Sequence, residues 1–208
     1  AGKTPKQIAE MRFADISCGS GSFLLAVYDL LLKYHGNWYN ENPSPNPYEA
    51  DCVKRDGRLY LKLHKKREIL LNNIYGVDID FQAVEVCQLS LYLKLLEEET
   101  EASAQQYLWD YNRQALLPPL TKNIVCGNSL VGWDILNGHL FDNGEERKLN
   151  PMDFKYAFPE VMKRGGFDAI IGNPPWGVDF SSAEMLQLRS TYEVAKASSV
   201  DSYALFIE

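Results

Sequence analysis

The sequence predicts an α/β protein built on a mostly parallel, twisted sheet with helices on both faces. Three observations lead there. A strand, a glycine-rich turn and an amphipathic helix follow one another over residues 12–34, the nucleotide-binding opening of a doubly wound sheet. Strands and helices then alternate along the chain, the pattern of a parallel sheet. Four turns of unusual composition each follow a strand: residues 19–22, 78–80, 128–129 and 173–176. All four then lie at the carboxyl ends of the strands, where such sheets bind ligands.

Taken in order, residues 3–11 begin with Thr4 and Pro5, an N-cap and a proline at the first helical position, and read as a short helix. Residues 12–16 form a strand. From residue 22 to 34, Phe23, Leu24, Val27, Leu30, Leu31 and Tyr34 share one helical face. Residues 36–58 contain Pro43, Pro45 and Pro47 among asparagines. Proline at that density excludes helix and sheet interiors, so a long loop is expected. Residues 59–72 read mainly as helix and 73–78 as a second strand. Residues 81–99 form a strong helix with Val84, Cys87, Leu91 and Leu95 on one stripe. Residues 124–126 are a short third strand. Residues 137–150 are polar and turn-rich, a mobile excursion. Residues 167–171 are a fourth, buried strand, and 182–196 and 201–208 are helical. No repeat with a period of roughly 20–50 residues is present.

Composition narrows the function classes. No apolar run approaches the roughly 20 residues that cross a bilayer, and the first ten residues lack an apolar signal core. A cytoplasmic location is the expectation. Cys18, Cys52, Cys87 and Cys126 never form a C-x-x-C pair, and His35, His64 and His139 are isolated. Neither a zinc site nor a disulfide framework is suggested. The formal net charge is −7. A protein that grips DNA unaided usually shows a basic surface. Either the basic part lies elsewhere or the substrate is not DNA.

Each special turn carries a possible chemistry beside a plainer reading. Cys18, Gly19, Ser20 and Gly21 let backbone approach a ligand closely, or simply turn strand into helix. No lysine follows, as a phosphate loop would need, and the third glycine of the dinucleotide pattern is missing. Asp78 ends the second strand, where an acid can accept hydrogen bonds from both ribose hydroxyls. The plainer reading is a cap for the next helix, although Asp80 is better placed for that. Ile79 offers an apolar face to an adenine ring. The Asn128 amide can pair with an adenine edge, or be an ordinary polar turn residue.

Asn173, Pro174, Pro175 and Trp176 are the specific signal. Two consecutive prolines hold the backbone extended and bring no N–H groups, so their carbonyls can stand outward as rigid acceptors. With the Asn173 side chain they can hold both hydrogens of an exocyclic amine and aim its lone pair at an electrophilic methyl group. Trp176 can stack on a planar base, which must leave its duplex to arrive. No metal cluster, Ser-His-Asp set or catalytic carboxylate pair stands out. Methyl transfer needs none, because positioning and electrostatics suffice for an activated donor.

These residues resemble the N6-adenine DNA methyltransferases of restriction–modification systems. The order, glycine turn before the Asn-Pro-Pro-aromatic turn, looks like the gamma class. Residues 72–96 and 158–176 are typical of the large chains that join modification to restriction. The resemblance implies a Rossmann-like class I methyltransferase fold and S-adenosyl-L-methionine as cofactor. It implies that Asp15, Ser17, Cys18, Gly19, Gly21 and Phe23 line the methionine end, Asp78 holds the ribose, Ile79 touches the adenine, and Asn128 and Ser129 meet its edge. Asn173 and the Pro174 carbonyl would hold the target amine, beside Pro175 and Trp176. Thr4 and Pro5 would close over the cofactor's carboxylate, and residues 201–206 match the helix after the catalytic turn.

Departures accompany the likeness. Ile16 stands where the family usually has proline, Asn128 where many members have aspartate, and residues 4–13 are shorter than the usual helix and connection. The family sheet continues past the last helix here and is followed by a target-recognition domain. The 208 residues are therefore expected to be one partial methyltransferase domain, incomplete at its C-terminal end. Double-stranded DNA would be gripped by other regions or a specificity subunit, and this stretch alone would methylate poorly. Alternatives are methylation of an RNA base or a protein glutamine, and a non-catalytic cofactor-binding or assembly module.

Overall fold

The computed structural model describes residues 2–42, 51–111, 115–136, 149–197 and 201–208. Its elements are α1 (Pro5–Ile8), β1 (Phe13–Asp15), α2 (Ser22–Glu41), β2 (Cys52–Arg55), β3 (Arg58–Leu61), α3 (Leu63–Asn73), β4 (Ile74–Asp78), α4 (Phe81–Leu96), α5 (Glu101–Asp110) and β5 (Ile124–Cys126). They continue with α6 (Phe154–Ala157), α7 (Pro159–Met162), β6 (Ala169–Ile170), α8 (Ser182–Thr191) and α9 (Ser202–Leu205). The main sheet runs β5-β4-β1-β6, and every pairing in it is parallel. Counted along the chain, that is third, second, first, fourth strand. The order reverses between β1 and β6, the switch point at which doubly wound sheets take their ligands.

Alternation along the strands builds a core on each face. Ile74 of β4 packs with Leu24, Tyr28, Leu70, Cys87 and Leu91 of α2, α3 and α4. Tyr75 and Val77 belong to the opposite face, against Met152, Phe158, Val161 and Phe167. Helices therefore cover both faces, as the sequence predicts. Gly76 has no room for a side chain: a Cβ would stand 2.7 Å from a Leu24 methyl and 3.1 Å from Cys18 Sγ. No helix among the described residues is long and apolar enough to cross a membrane.

Several elements depart from expectation for identifiable reasons. α2 runs on through Gly36 to Glu41. A helix-interior glycine costs about 1 kcal/mol, and burial of His35 and Tyr39 offsets it. The expected loop over 36–58 is thus partly helix, and its far end is a hairpin. β2 and β3 pair antiparallel through Asp56 and Gly57, with φ of 48° and 79°. Asp-Gly at positive φ is the two-residue turn that matches strand twist. The Asn40 side chain grips the edge of β3, donating to the Leu59 carbonyl and accepting from its N–H, each at 2.9 Å. Residues 59–61 are accordingly strand, not helix. Pro43, Pro45 and Pro47 lie outside the described residues, as does most of the polar excursion, residues 137–148.

Helix α5 was not anticipated, although Thr100 and Ser103 form a capping box at its start. The fourth strand is shorter than residues 167–171 and is not buried, since Ile170 is 58% exposed. It pairs with β1 on one side only, and among the described residues no strand pairs with its other edge. Residues 182–196 are helical to Thr191 and then form a separate turn at Val194–Lys196.

Asn73 ties the start of the sheet to α1. Its fully buried amide donates to the carbonyls of Ile8 and Met11, both at 2.7 Å. Asn73→Ala removes one donor from each carbonyl, which keep only the Met11 N–H and the Arg12 guanidinium respectively. It should lower unfolding free energy by about 2–3 kcal/mol, read from urea denaturation. A loss under about 0.5 kcal/mol would show the clamp to be dispensable.

Candidate active site

The glycine turn is built by β1 and closed against β4. Cys18 N–H donates to the Val77 carbonyl at 2.9 Å, and Gly21 N–H to the Cys18 carbonyl at 2.8 Å. Gly19 and Gly21 stand at φ of 51° and 88°, where a side chain is strained. At Gly21 a Cβ would also lie 2.5 Å from Cys87 Sγ. Cys18 is buried, and its contact with Cys87 together with burial holds the thiol protonated. It can line a site but is no nucleophile.

Asp78 joins this turn to the next. One carboxylate oxygen accepts from Gly19 N–H at 2.7 Å and the other from Asp80 N–H at 3.0 Å. Asp80 caps α4 by accepting from Gln82 N–H at 2.8 Å. Asp80 is the N-cap, as its place just before the helix predicts, and the Asp78 carboxylate serves the turns instead. Ile79, half exposed, follows directly.

Asp15 sits beneath both turns. It is 1% exposed, and one oxygen accepts from Ser17 N–H at 3.0 Å. Burial pushes its carboxyl above the usual range; the Ser17 bond opposes this and the Asp78 charge adds to it. The third-strand turn is tied in as well. Ser129 donates its hydroxyl to the Ile16 carbonyl at 2.5 Å. The Asn128 side-chain oxygen accepts from Leu130 N–H at 3.0 Å, which leaves the amide nitrogen for other partners.

The Asn173 turn closes on the same carboxylate. Gly172 passes so near that a Cβ would be 2.6 Å from an Asp15 oxygen. Ser202, 2% exposed at the start of α9, donates to the Pro175 carbonyl at 2.6 Å and accepts from Val178 N–H at 3.4 Å. The Trp176 ring is 70% exposed and lies over Tyr203, with centroids 4.7 Å apart at 31°. The two proline carbonyls are therefore distinguished. Pro175's is anchored, whereas no described residue bonds the Pro174 carbonyl or the Asn173 side chain.

Asp15, Ser17, Cys18, Gly19, Gly21, Asp78, Ile79, Asn128 and Ser129 thus gather at the carboxyl ends of neighbouring strands, with Asn173 to Trp176 across the switch point. Phe23 is partly exposed on the first turn of α2, beside them. Thr4 does not join them. Its hydroxyl is spent capping α1. Tyr34 bonds the Lys3 carbonyl at 2.7 Å, and Asn73 holds Ile8, so the segment sits at the amino ends of the strands. The connection to β1 is too short to bring it across the sheet. Gly172 and Ser202 are the positioning residues that sequence reasoning did not single out for a role. A glycine between a strand and an Asn-Pro-Pro run was the available signal for the first.

The family model described as "Eco57I restriction-modification methylase" matches residues 72–208. The chain is 32% identical over 215 residues to the type II restriction enzyme and methyltransferase RM.Eco57I of Escherichia coli, covering all of this chain and 19% of that protein. It is 34% identical over 128 residues to a putative type II restriction enzyme and methyltransferase of Methanocaldococcus jannaschii, covering 61% of this chain and 9% of that one. Identity to the adenine-specific methyltransferase PglX of Streptomyces coelicolor is 23% over 177 residues, covering 80% and 12%. The chain spans less than a fifth of the length of each of these relatives.

The raised Asp15 carboxyl sets a pH dependence. At low pH the group is neutral in folded and unfolded chain alike. As pH rises, the unfolded chain ionises first, so stability is lost through the raised folded value. Asp15→Asn keeps an acceptor for Ser17 and removes the titration. The variant should gain stability over wild type between about pH 4 and pH 7, measured by urea denaturation of ligand-free protein. An unchanged difference across that range would contradict the burial penalty.

Proposed function

The chain belongs to the Eco57I restriction-modification methylase family, and from that premise we propose that it carries the catalytic centre of an adenine-specific DNA methyltransferase. The substrate is the N6 amine of an adenine flipped out of duplex DNA, and the methyl donor is S-adenosyl-L-methionine. The observation that carries this reading is the switch point itself. A ligand-ready glycine turn and a turn with two unbonded acceptors close on one buried carboxylate.

The residues fit the cofactor. Outward from Gly19 the space is open, since a Cβ there would meet nothing within 4 Å. Asp15 and Asp78 suit a ligand bearing a sulfonium and an ammonium. Each Asp78 oxygen accepts one backbone N–H and keeps a lone pair for a ribose hydroxyl. Ile79 supplies apolar surface for the adenine, and the Asn128 amide nitrogen a donor for its edge. Ser17, Cys18, Gly21 and Phe23 line the methionine end, with Ser129 holding the third turn in place.

When bound, S-adenosylmethionine supplies a methyl group already activated on sulfur. The protein's task is to place the amine. The Asn173 side-chain oxygen and the Pro174 carbonyl accept its two hydrogens and leave the lone pair facing the glycine turn. Pro175, fixed by Ser202, holds that geometry against thermal motion. Trp176, backed by Tyr203, gives the base a flat surface. The grip on DNA belongs to regions beyond these 208 residues, in keeping with the net charge of −7. The reaction runs in the cytoplasm, where the DNA is.

Labelled-methyl transfer by the intact protein to duplex DNA, ribosomal RNA and a protein glutamine substrate tests the reading. Label should enter DNA adenine alone; label only in RNA or protein would overturn it. Asn173→Ala should abolish transfer and leave cofactor affinity within a fewfold, and retained activity would remove Asn173 from its role. Asp78→Ala should weaken cofactor binding by about 1.5–3 kcal/mol in calorimetry. Unchanged affinity would leave Asp78 only its bonds to Gly19 and Asp80.

A further inference from the structure

A cavity of about 570 Å³ opens away from the switch point. Its floor is the later part of α2, from Asp29 to Asn40; its walls are the β2–β3 hairpin and α5. Gly36 lies about 14 residues into α2, roughly 20 Å along the helix from the glycine turn. The volume falls within the usual range for small-molecule sites.

Three features give the cavity a chemistry. Arg55 and Arg58 are directly opposite each other across the hairpin and both line it. Like charges in that register destabilise a strand pair, and neither arginine has an ion-pair partner among the described residues. Of the acids lining it, Asp29 is paired with Lys33 and Lys94, Glu97 with Lys94 and Glu99 with Lys66, while Glu98 and Asp110, on the α4–α5 side, carry no ion pair among the described residues. Tyr60, two pairs along on the same hairpin face, adds an exposed ring, and Tyr107 and Tyr111 stack at 4.9 Å on the α5 side. Gly36 faces the cavity, and a Cβ there would meet nothing within 4 Å. A helix-interior glycine that makes no close approach is hard to justify by packing; here it keeps the floor open.

We propose that this cavity binds a nucleotide-sized phosphate ester, its phosphoryl oxygens held by the Arg55–Arg58 pair and its ring seated against Tyr60 and Tyr111, the latter backed by buried Tyr107. Two guanidiniums carried at paired positions of one hairpin face match the several oxygens of a phosphoryl group. Duplex DNA is the less suitable occupant. A duplex presenting a base to Asn173 would lie at the other end of α2, about 20 Å from Gly36. The site is independent of the methyl-transfer reading, and either can fail alone.

The test is calorimetry on the intact protein with saturating S-adenosylhomocysteine, which blocks adenine nucleotides from the switch point. The probes are ATP, AMP, inorganic phosphate and a short duplex. ATP or AMP should bind, at least tenfold tighter than phosphate. Arg55→Ala, Arg58→Ala and Gly36→Leu should each weaken that binding tenfold or more, with the S-adenosylhomocysteine affinity unchanged. Gly36→Leu is a favourable helix substitution, so it keeps the test open should an arginine variant fail to fold. Absence of nucleotide binding, binding indifferent to Gly36→Leu, equal affinity for phosphate and nucleotide, or competition by the duplex would each overturn the proposal.

Discussion

The buried carboxylate of Asp15 is the constraint on which the rest of the structure depends. It ends β1, the strand that pairs with both β4 and β6. On one side it receives the Ser17 N–H and so shapes the glycine turn. On the other it leaves room only for a glycine at position 172. Both turns are therefore referenced to one side chain, and their separation is set by its size. Placing that charge in the interior has a cost, visible as a carboxyl pushed above its usual range. A cationic ligand above the glycine turn would offset it.

Around that centre, backbone groups do most of the positioning. Asp78 couples the first and second turns by accepting from Gly19 and Asp80, and Ser129 couples the third to the first through the Ile16 carbonyl. Ser202 fixes the fourth by taking up the Pro175 carbonyl, which leaves Pro174's as an acceptor. Rigid, preoriented acceptors are what a reaction governed by alignment requires. The same bonds explain why a short chain segment such as α9 matters: its first residue braces the turn, and its second supports Trp176.

Much of this was legible in the sequence because it rests on local chemistry. Strands at Ile74–Asp78 and Ile124–Cys126 are short apolar runs ended by distinctive turns, and the Asn173–Trp176 turn has few alternative uses. What was not legible depended on partners distant in sequence. The Asp56-Gly57 hairpin was hidden by the prolines before it, and its edge is secured by Asn40 from α2. Burial of Tyr39 and His35 carried α2 past Gly36, where propensity alone suggests a stop. Thr4 has the residue types of a cofactor-closing segment, but Tyr34 and Asn73 hold it at the far ends of the strands. Ile170 reads as core from its neighbours' hydrophobicity, and only the sheet order reveals it as an edge. The cap, by contrast, was legible as Asp80 rather than Asp78, since a cap must immediately precede its helix.

A crystal structure of the intact protein with S-adenosylhomocysteine bound is the most direct test that one buried carboxylate brings donor and acceptor together. The adenine should lie against Ile79, the ribose hydroxyls on Asp78, and the sulfur in the gap between the glycine turn and the Asn173 side chain. A ligand seated elsewhere, or one whose sulfur faces away from Asn173, would contradict it.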